Sequence, residues 1–419
     1  MIREIDVFYN GWGEHWLWGR LVLTNVIGRR PSISFEYSEE ARQKGYELSR
    51  YKLPLSATQA FGQFPAHQMG LPGPVYDSLP DGWGVLLMDL LFRHQNSDIN
   101  KLSPLDRLAF MGDRAIGAMS FKPVAANTDS NQANIPIELL AHEIREIASG
   151  GSEFLELIVK IGSPPQGVRP KALIYRCPSS GLFSPISHPD WEDWLIKFPA
   201  AQENAEVCAI EYVYAESLRT CGIATPDTQH FILSNGLAAF ASKRFDRQGD
   251  IKIPMQSLAS FTGADFRSPG SLDYATFLRA TEMCTNDVHE KKIAFERAVF
   301  NVAFNNRDDH PKNFAYLMSA NGKWALAPTF DVTFCNGPAG YHQMDVMGEA
   351  LRINREHLIS LGVGEAELIR ENAELIIDRI CTVASKFADT ANNILPGTIS
   401  QETLREIQKK IDRNTALLS

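Results

Sequence analysis

The period of the apolar positions changes along the chain, and each change marks an element boundary. Over residues 1–60 short apolar runs alternate with Gly, Pro and charged breaks. Trp18-Gly-Arg-Leu-Val-Leu and Ile33-Ser-Phe-Glu-Tyr carry the period of two that sends neighbouring side chains to opposite faces of a half-buried strand. After Asp77-Ser-Leu-Pro-Asp-Gly-Trp-Gly the spacing turns helical through Val85-Leu-Leu-Met-Asp-Leu-Leu-Phe-Arg and again from Leu105 to Met111, so residues 1–123 read as one α+β unit. The small, polar stretch AANTDSNQAN has little to bury and predicts a surface linker over 124–136.

Beyond it the pattern predicts a helix near 137–149 and a Gly/Pro loop at 162–170. Strands follow around Lys171–Tyr175 and Trp194–Phe198, then a helix from Glu206 to Cys221, then strands at His230–Leu233 and Ala238–Ser242. From Leu272 the chain is mainly helical, near 274–284, 288–306, 365–389 and 399–417. Residues 306–336 interrupt this as loop, strand, hairpin, strand, loop. The predicted class is α+β, with units 1–123, 137–250 and 251–419 around the linker.

Composition narrows the function classes. The 419 residues are 44% hydrophobic and 22% charged, as in a soluble globular protein with room for two or three cores. A net charge of −9 argues against wrapping nucleic acid unaided and suits a basic partner. The six cysteines form no CxxC pair or short zinc spacing, so buried, reduced thiols are expected. The start MIREIDVFYNGW lacks a basic and then apolar leader, and no apolar run reaches about 18 residues. A cytoplasmic protein with no membrane contact is expected.

The chemistry concentrates in Asn306-Arg-Asp-Asp-His-Pro-Lys-Asn-Phe and in Pro328-Thr-Phe-Asp331. Between them, Asn321-Gly322 separates two apolar runs, a strong hairpin signal. A hairpin returns its flanking loops to one end, where Asp308, Asn313 and Asp331 can converge. Phosphoryl transfer needs a carboxylate to accept the nucleophile's proton and hard oxygen donors to hold Mg²⁺ against phosphates. Singly, these residues fit ordinary turn chemistry equally well. Together, Arg307-Asp308 with Asn313 five residues on reproduces the kinase catalytic-loop step, and Asp331 takes the place of the metal-binding aspartate, here in Asp-Val-Thr.

Upstream, Lys197 lies in an apolar strand-like run and Glu211 on the next helix, the order of a phosphate-binding lysine and its carboxylate. A lysine in such a run also fits an edge-strand gatekeeper. The loop Gly162-Ser-Pro-Pro-Gln-Gly-Val-Arg-Pro-Lys171 could close over phosphates through its amides, with Arg169 or Lys171 supplying charge. Its three prolines equally fit a stiff surface turn.

Taken in order, the blocks around Asp77, Arg107, Ser163, Leu195, Ile210, Lys243-Arg-Phe-Asp-Arg247, Arg307 and Pro328 resemble the signature blocks of HipA-like kinases. The resemblance spans roughly residues 15–390. It implies a HipA-type, protein-kinase-like bilobal fold with a β-rich amino-terminal subdomain and a helical carboxy-terminal lobe. It implies a Ser/Thr kinase acting as the toxin of a type II toxin–antitoxin pair, using ATP and Mg²⁺. The implied partner is a small helix-turn-helix antitoxin of the HipB kind, with DNA reached only through it. The implied substrate is a cellular protein, such as an aminoacyl-tRNA synthetase or another translation component.

By position, Asp308 would be the base, Asn313 and Asp331 the metal ligands, and Lys197 with Glu211 the phosphate-binding pair. Gly167, Val168, Arg169 and Lys171 would lie against the phosphates, and Lys243 and Phe245 at the adenine hinge. His310 and Lys312 would neutralise transferring charge, and Ser163 would be an autophosphorylated switch. Gln166 stands where many relatives have glycine and Pro164-Pro165 stiffen the loop, which speaks against that switch. Lys243 stands where a glutamate is frequent. A kinase of small molecules or lipids, and a non-catalytic antitoxin-bound corepressor, are the competing expectations.

Overall fold

Alternating burial of Ile5, Val7 and Tyr9 sets the face on which the amino-terminal sheet packs. The computed structural model describes residues 2–24, 31–94, 97–124, 169–184, 188, 190–200, 202–233 and 236–419. The expected linker, the helix near 137–149 and most of the 162–170 loop lie outside the described residues. The chain forms two compact units. One comprises Met1–Glu203, Ile232–Gln256 and Leu317–Gly322; the other comprises Asn204–Phe231, Ser257–Tyr316 and Lys323–Ser419.

In the first unit, strands Ser32–Tyr37, Trp16–Thr24, Glu4–Tyr9 and Met119–Pro123 form an antiparallel sheet in that order. Gly19 sits where a Cβ would come within 2.3 Å of the Glu36 carbonyl oxygen, so the sheet closes only around glycine there. Tyr9 stacks on Trp16 at 4.6 Å between ring centroids, and Trp18 meets Tyr9 edge-on at 5.3 Å. Helix Pro104–Met111 starts at a capping box in which Ser103 and Asp106 satisfy each other's backbone amides.

A second antiparallel sheet in this unit carries Phe183–Ser184, Lys171–Arg176, Glu192–Lys197 and Ala238–Lys243 in that order. At the carboxyl end of strand Ala238–Lys243 the Lys243-Arg-Phe-Asp-Arg247 block closes a buried ion cluster. Asp246 accepts from Arg244 at 2.7 Å, from Arg247 at 2.9 Å and from the Gly117 amide at 2.8 Å. Arg247 in turn donates to the carbonyls of Ala115 and Gly117 at 3.0 and 2.9 Å. The cluster therefore joins the amino-terminal sheet's last loop to the second sheet.

In the second unit, Phe277, Phe295, Phe300, Phe304, Tyr214 and Phe387 build a helical core. Phe300 and Phe304 stack at 4.0 Å, and the Tyr214 hydroxyl donates to the Phe304 carbonyl at 2.5 Å. Helices Glu206–Thr220, Tyr274–Thr285, His289–Ala303 and Gln401–Leu418 follow the predicted periodicity. The single helix expected at 365–389 is instead Arg370–Ala384 and Phe387–Ile394, because Lys386 leaves helical backbone at φ −106°, ψ 13°. Helix Arg355–Gly364 was not expected; Asn354 and His357 cap it reciprocally. Among the described residues no helix is long and apolar enough to cross a membrane.

Burial alone would raise the Asp246 carboxyl, but Arg244 and Arg247 hold it well below the ordinary carboxylate range. Its contribution to stability is therefore complete above the unfolded value of about 3.9 and is lost only as pH falls through the lower folded value. Removing it leaves two buried guanidinium groups facing each other. Asp246→Ala is expected to lower unfolding free energy by about 3–5 kcal/mol at neutral pH. A chemical-denaturation midpoint within error of the parent would refute that role.

Candidate active site

Helix His289–Ala303 ends as Asn305 turns into left-handed backbone at φ 55°. The following residues are stapled to a parallel segment: Cys335 N–H donates to the Asn305 carbonyl at 3.1 Å and Arg307 N–H to the Cys335 carbonyl at 3.3 Å. A short 3₁₀ turn, Pro311–Asn313, then leads into strand Ala315–Met318. Proline suits that turn's first position, where its missing N–H costs nothing.

Within this loop the consecutive aspartates diverge. Asp308 keeps about half of its side chain exposed, at 49%, whereas that of Asp309 is fully covered. Asp308 accepts the Gln343 side-chain amide at 2.8 Å, and its backbone carbonyl accepts Asn313 Nδ2, also at 2.8 Å. The latter bond closes the loop and brings Asp308 and Asn313 together. His310 Nε2 lies 3.9 Å from Asp308 Oδ1, too far for a hydrogen bond. Lys312 is buried with its ammonium 4.8 Å from the Phe266 ring centre, and His310 packs on the same ring at 5.5 Å.

The hairpin Ala315–Met318 and Trp324–Leu326 turns at Gly322, φ 76°, and is tied at its base by Ala327 N–H to the Ala315 carbonyl at 2.8 Å. Asn313 and Asp331 thus leave the same end of the hairpin. Arg297, fully buried, donates to the Ala327 carbonyl at 2.5 Å, and Thr329 is held at both backbone groups by Ala224 and Thr225 at 2.7 and 2.9 Å. Asp331 itself adopts φ 55°. A non-glycine residue held there costs on the order of 1 kcal/mol, which the anchored backbone on its amino-terminal side sustains.

The first unit carries a cationic face. Lys171 and Lys197 are directly opposed in antiparallel register, so their side chains share one face of the sheet. Both are buried, and the Lys197 ammonium lies 5.6 Å from the Phe240 ring centre. Arg169 pairs with Glu203 at 2.9 Å. Lys243 registers with Trp194 on the opposite face and donates to Glu192 at 2.6 Å, leaving only its backbone for a ligand on the Lys197 side. Phe245 is half-buried between Arg244 and Asp246.

Glu211 is buried on helix Glu206–Thr220 of the second unit. Ser163, Gly167 and Val168 lie outside the described residues. Among the described residues no group of three or more His, Cys, Asp or Glu side chains could hold a metal alone. Asp331 and Asn313 nonetheless fit Mg²⁺, which takes one or two protein oxygens and completes its shell with phosphate and water. Sequence reasoning missed Asp309, Gln343 and Phe266: Asp309 stood in the catalytic-loop block without a role, and the other two carry no local signal.

The family model described as HipA N-terminal domain matches residues 13–122, and that described as HipA-like C-terminal domain matches residues 163–387. The second spans more than half of the chain, and the chain belongs to the HipA-like family. Among solved structures, the Shewanella oneidensis MR-1 toxin–antitoxin complex of HipA, HipB and operator DNA contains a chain similar at TM-score 0.71 and 16% identity, covering 98% of this chain and 96% of that one. The proinflammatory kinase CtkA of Helicobacter pylori aligns at TM-score 0.39 and 16% identity, over 54% of this chain and 88% of that chain. The first likeness establishes the fold: α+β, β-rich toward the amino end and helical toward the carboxyl end.

Gly337, just past the Cys335 staple, has φ 67°, and a Cβ there would meet the Tyr341 carbonyl oxygen at 2.2 Å and Arg307 Cβ at 2.7 Å. Gly337→Ala is expected to cost about 1–3 kcal/mol in unfolding free energy. An unchanged unfolding midpoint would show that the 336–341 segment yields without cost.

Proposed function

We propose that the chain is a Mg-ATP-dependent Ser/Thr protein kinase acting as the toxin of a toxin–antitoxin pair. The observation that carries this reading is the loop closed by Asn313 on the Asp308 carbonyl, which holds a half-exposed carboxylate beside a hard oxygen donor. The opposed, buried Lys171 and Lys197 support it from the first unit.

In this reading Asp308 takes the proton of the attacked hydroxyl, at hydrogen-bonding reach of which a base contributes about 10²–10⁴-fold. Asn313 and Asp331 hold Mg²⁺, which would neutralise phosphate charge when bound. Lys197, with Glu211 as its carboxylate, Lys171, Arg169, Gly167 and Val168 are assigned to phosphate binding. Lys312, its ammonium on the Phe266 face, and His310 offset negative charge near the loop. Lys243 and Phe245 serve adenine through backbone groups. The antitoxin is a small helix-turn-helix protein of the HipB kind, DNA is reached through it, and the site of action is the cytoplasm. The substrate is a cellular protein, with an aminoacyl-tRNA synthetase or another translation component as the candidate. Ser163 is the candidate for autophosphorylation.

Purified protein incubated with Mg²⁺ and labelled ATP is expected to transfer phosphate to itself or to a protein in a cell extract. Asp308→Gln should reduce that transfer by at least ~10²-fold with the fold intact. Transfer at the parent rate in this variant would remove Asp308 as the base. Label appearing only in small molecules or lipids would redirect the substrate assignment.

Lys197→Met is expected to raise KM for ATP about tenfold or more, since a lost phosphate contact of ~1.4 kcal/mol or greater weakens binding by that factor. Steady-state kinetics over ATP concentration measure it; an unchanged KM and kcat would exclude Lys197 from phosphate binding.

A further inference from the structure

Asp309 has a structural task that bears on its neighbour. Its carboxylate accepts the Tyr274 hydroxyl at 2.7 Å, lies 2.7 Å from His342 Nδ1 and accepts the Gln343 backbone N–H at 2.8 Å. Asn301 donates to the Tyr274 hydroxyl at 3.0 Å, and Asn306 donates to Asn301 at 2.9 Å. Every side chain in this chain of contacts is buried. Burial first, and then the charge of Asp309, push the Tyr274 phenol well above its ordinary value, so it stays a donor.

The network ends on Gln343. Its N–H is held by Asp309, its carbonyl accepts the Gly270 N–H at 2.8 Å, and the preceding His342 N–H is held by the Ala350 carbonyl at 2.8 Å. With the backbone pinned on both sides, only side-chain torsions remain, and these place Nε2 at 2.8 Å from Asp308 Oδ1.

We propose that Gln343 is a positioning residue for Asp308, and that buried Asp309 exists to hold Gln343. The proposal rests on Asp308 being the base. A closed ring results: Asp308 is bonded through the chain to Asp309, Asp309 fixes the Gln343 backbone, and the Gln343 amide returns to Asp308. The amide fixes one oxygen of the half-exposed carboxylate, and a fixed oxygen selects the orientation for accepting a proton. A neutral amide suits this task. It orients the carboxylate by a charge-assisted hydrogen bond, while a lysine or arginine at the same place would also depress its basicity.

The test uses full-length Gln343→Met, which keeps volume and loses the donor, and Gln343→Glu, which keeps shape and faces Asp308 with a second carboxylate. Both are assayed with Mg²⁺, labelled ATP and the best protein acceptor, beside the parent and Asp308→Asn. Gln343→Met should lower kcat by about 10–100-fold, leave KM for ATP within about twofold and leave the melting temperature unchanged. Gln343→Glu should lose at least as much. Parent-level kcat in Gln343→Met, with Asp308→Asn inactive, overturns the positioning role and leaves the base in place. A loss of kcat that tracks a fall in melting temperature also overturns it, by making Gln343 ordinary structural support. Full activity in Asp308→Asn, or none in the parent, instead removes the reading of Asp308 on which the proposal stands.

Discussion

The second unit is organised around a carboxylate that reaches no water. Asp309 is buried, and an isolated ionised group in such a place would cost several kcal/mol. Three donors from two distant stretches, Tyr274 on one and His342 with the Gln343 amide on the other, offset that cost only if the chain brings both to one point. Satisfying Asp309 therefore fixes the segment after the hairpin against the helix that starts at Tyr274. The adjacent Asp308 is left facing outward on a rigid base.

The first unit solves a comparable problem with ions. Asp246 sits between Arg244 and Arg247, and Arg247 also satisfies carbonyls of the 115–117 loop, so a charge cluster does the joining that apolar contacts do elsewhere. Such a cluster tolerates loss of neither sign, because each partner removed strands the others in low dielectric. The Lys171 and Lys197 pair is the reverse case: two like charges placed opposite one another by strand register.

Local chemistry was readable where local rules apply. The Asn321-Gly322 turn and the helix periodicity over Tyr274–Thr285 and His289–Ala303 depend on neighbours in sequence, and each took the expected form. The break at Lys386 was not readable, because apolar spacing continues across it and only packing of Phe387 against Tyr214 shows where the axis changes. In the Lys243-Arg-Phe-Asp-Arg247 block, Asp246 and Arg247 bond to Gly117, more than a hundred residues earlier, and Arg244 pairs with Asp246, contacts that no local pattern announces.

By itself, then, the sequence determined the α+β class, the helices over Tyr274–Thr285 and His289–Ala303, the HipA-like resemblance and the identity of the polar residues beside the hairpin. The class and the polar residues follow from periodicity, turn chemistry and spacing, all short-range properties, whereas the resemblance rests on eight ordered blocks matching those of a known family. Tertiary structure alone decided which of two adjacent aspartates faces outward, which lysines become neighbours, and that Gln343, 35 residues from Asp308, reaches its carboxylate. Strand register and the burial of Asp309 settle those points, and both depend on contacts between distant segments that no local pattern encodes.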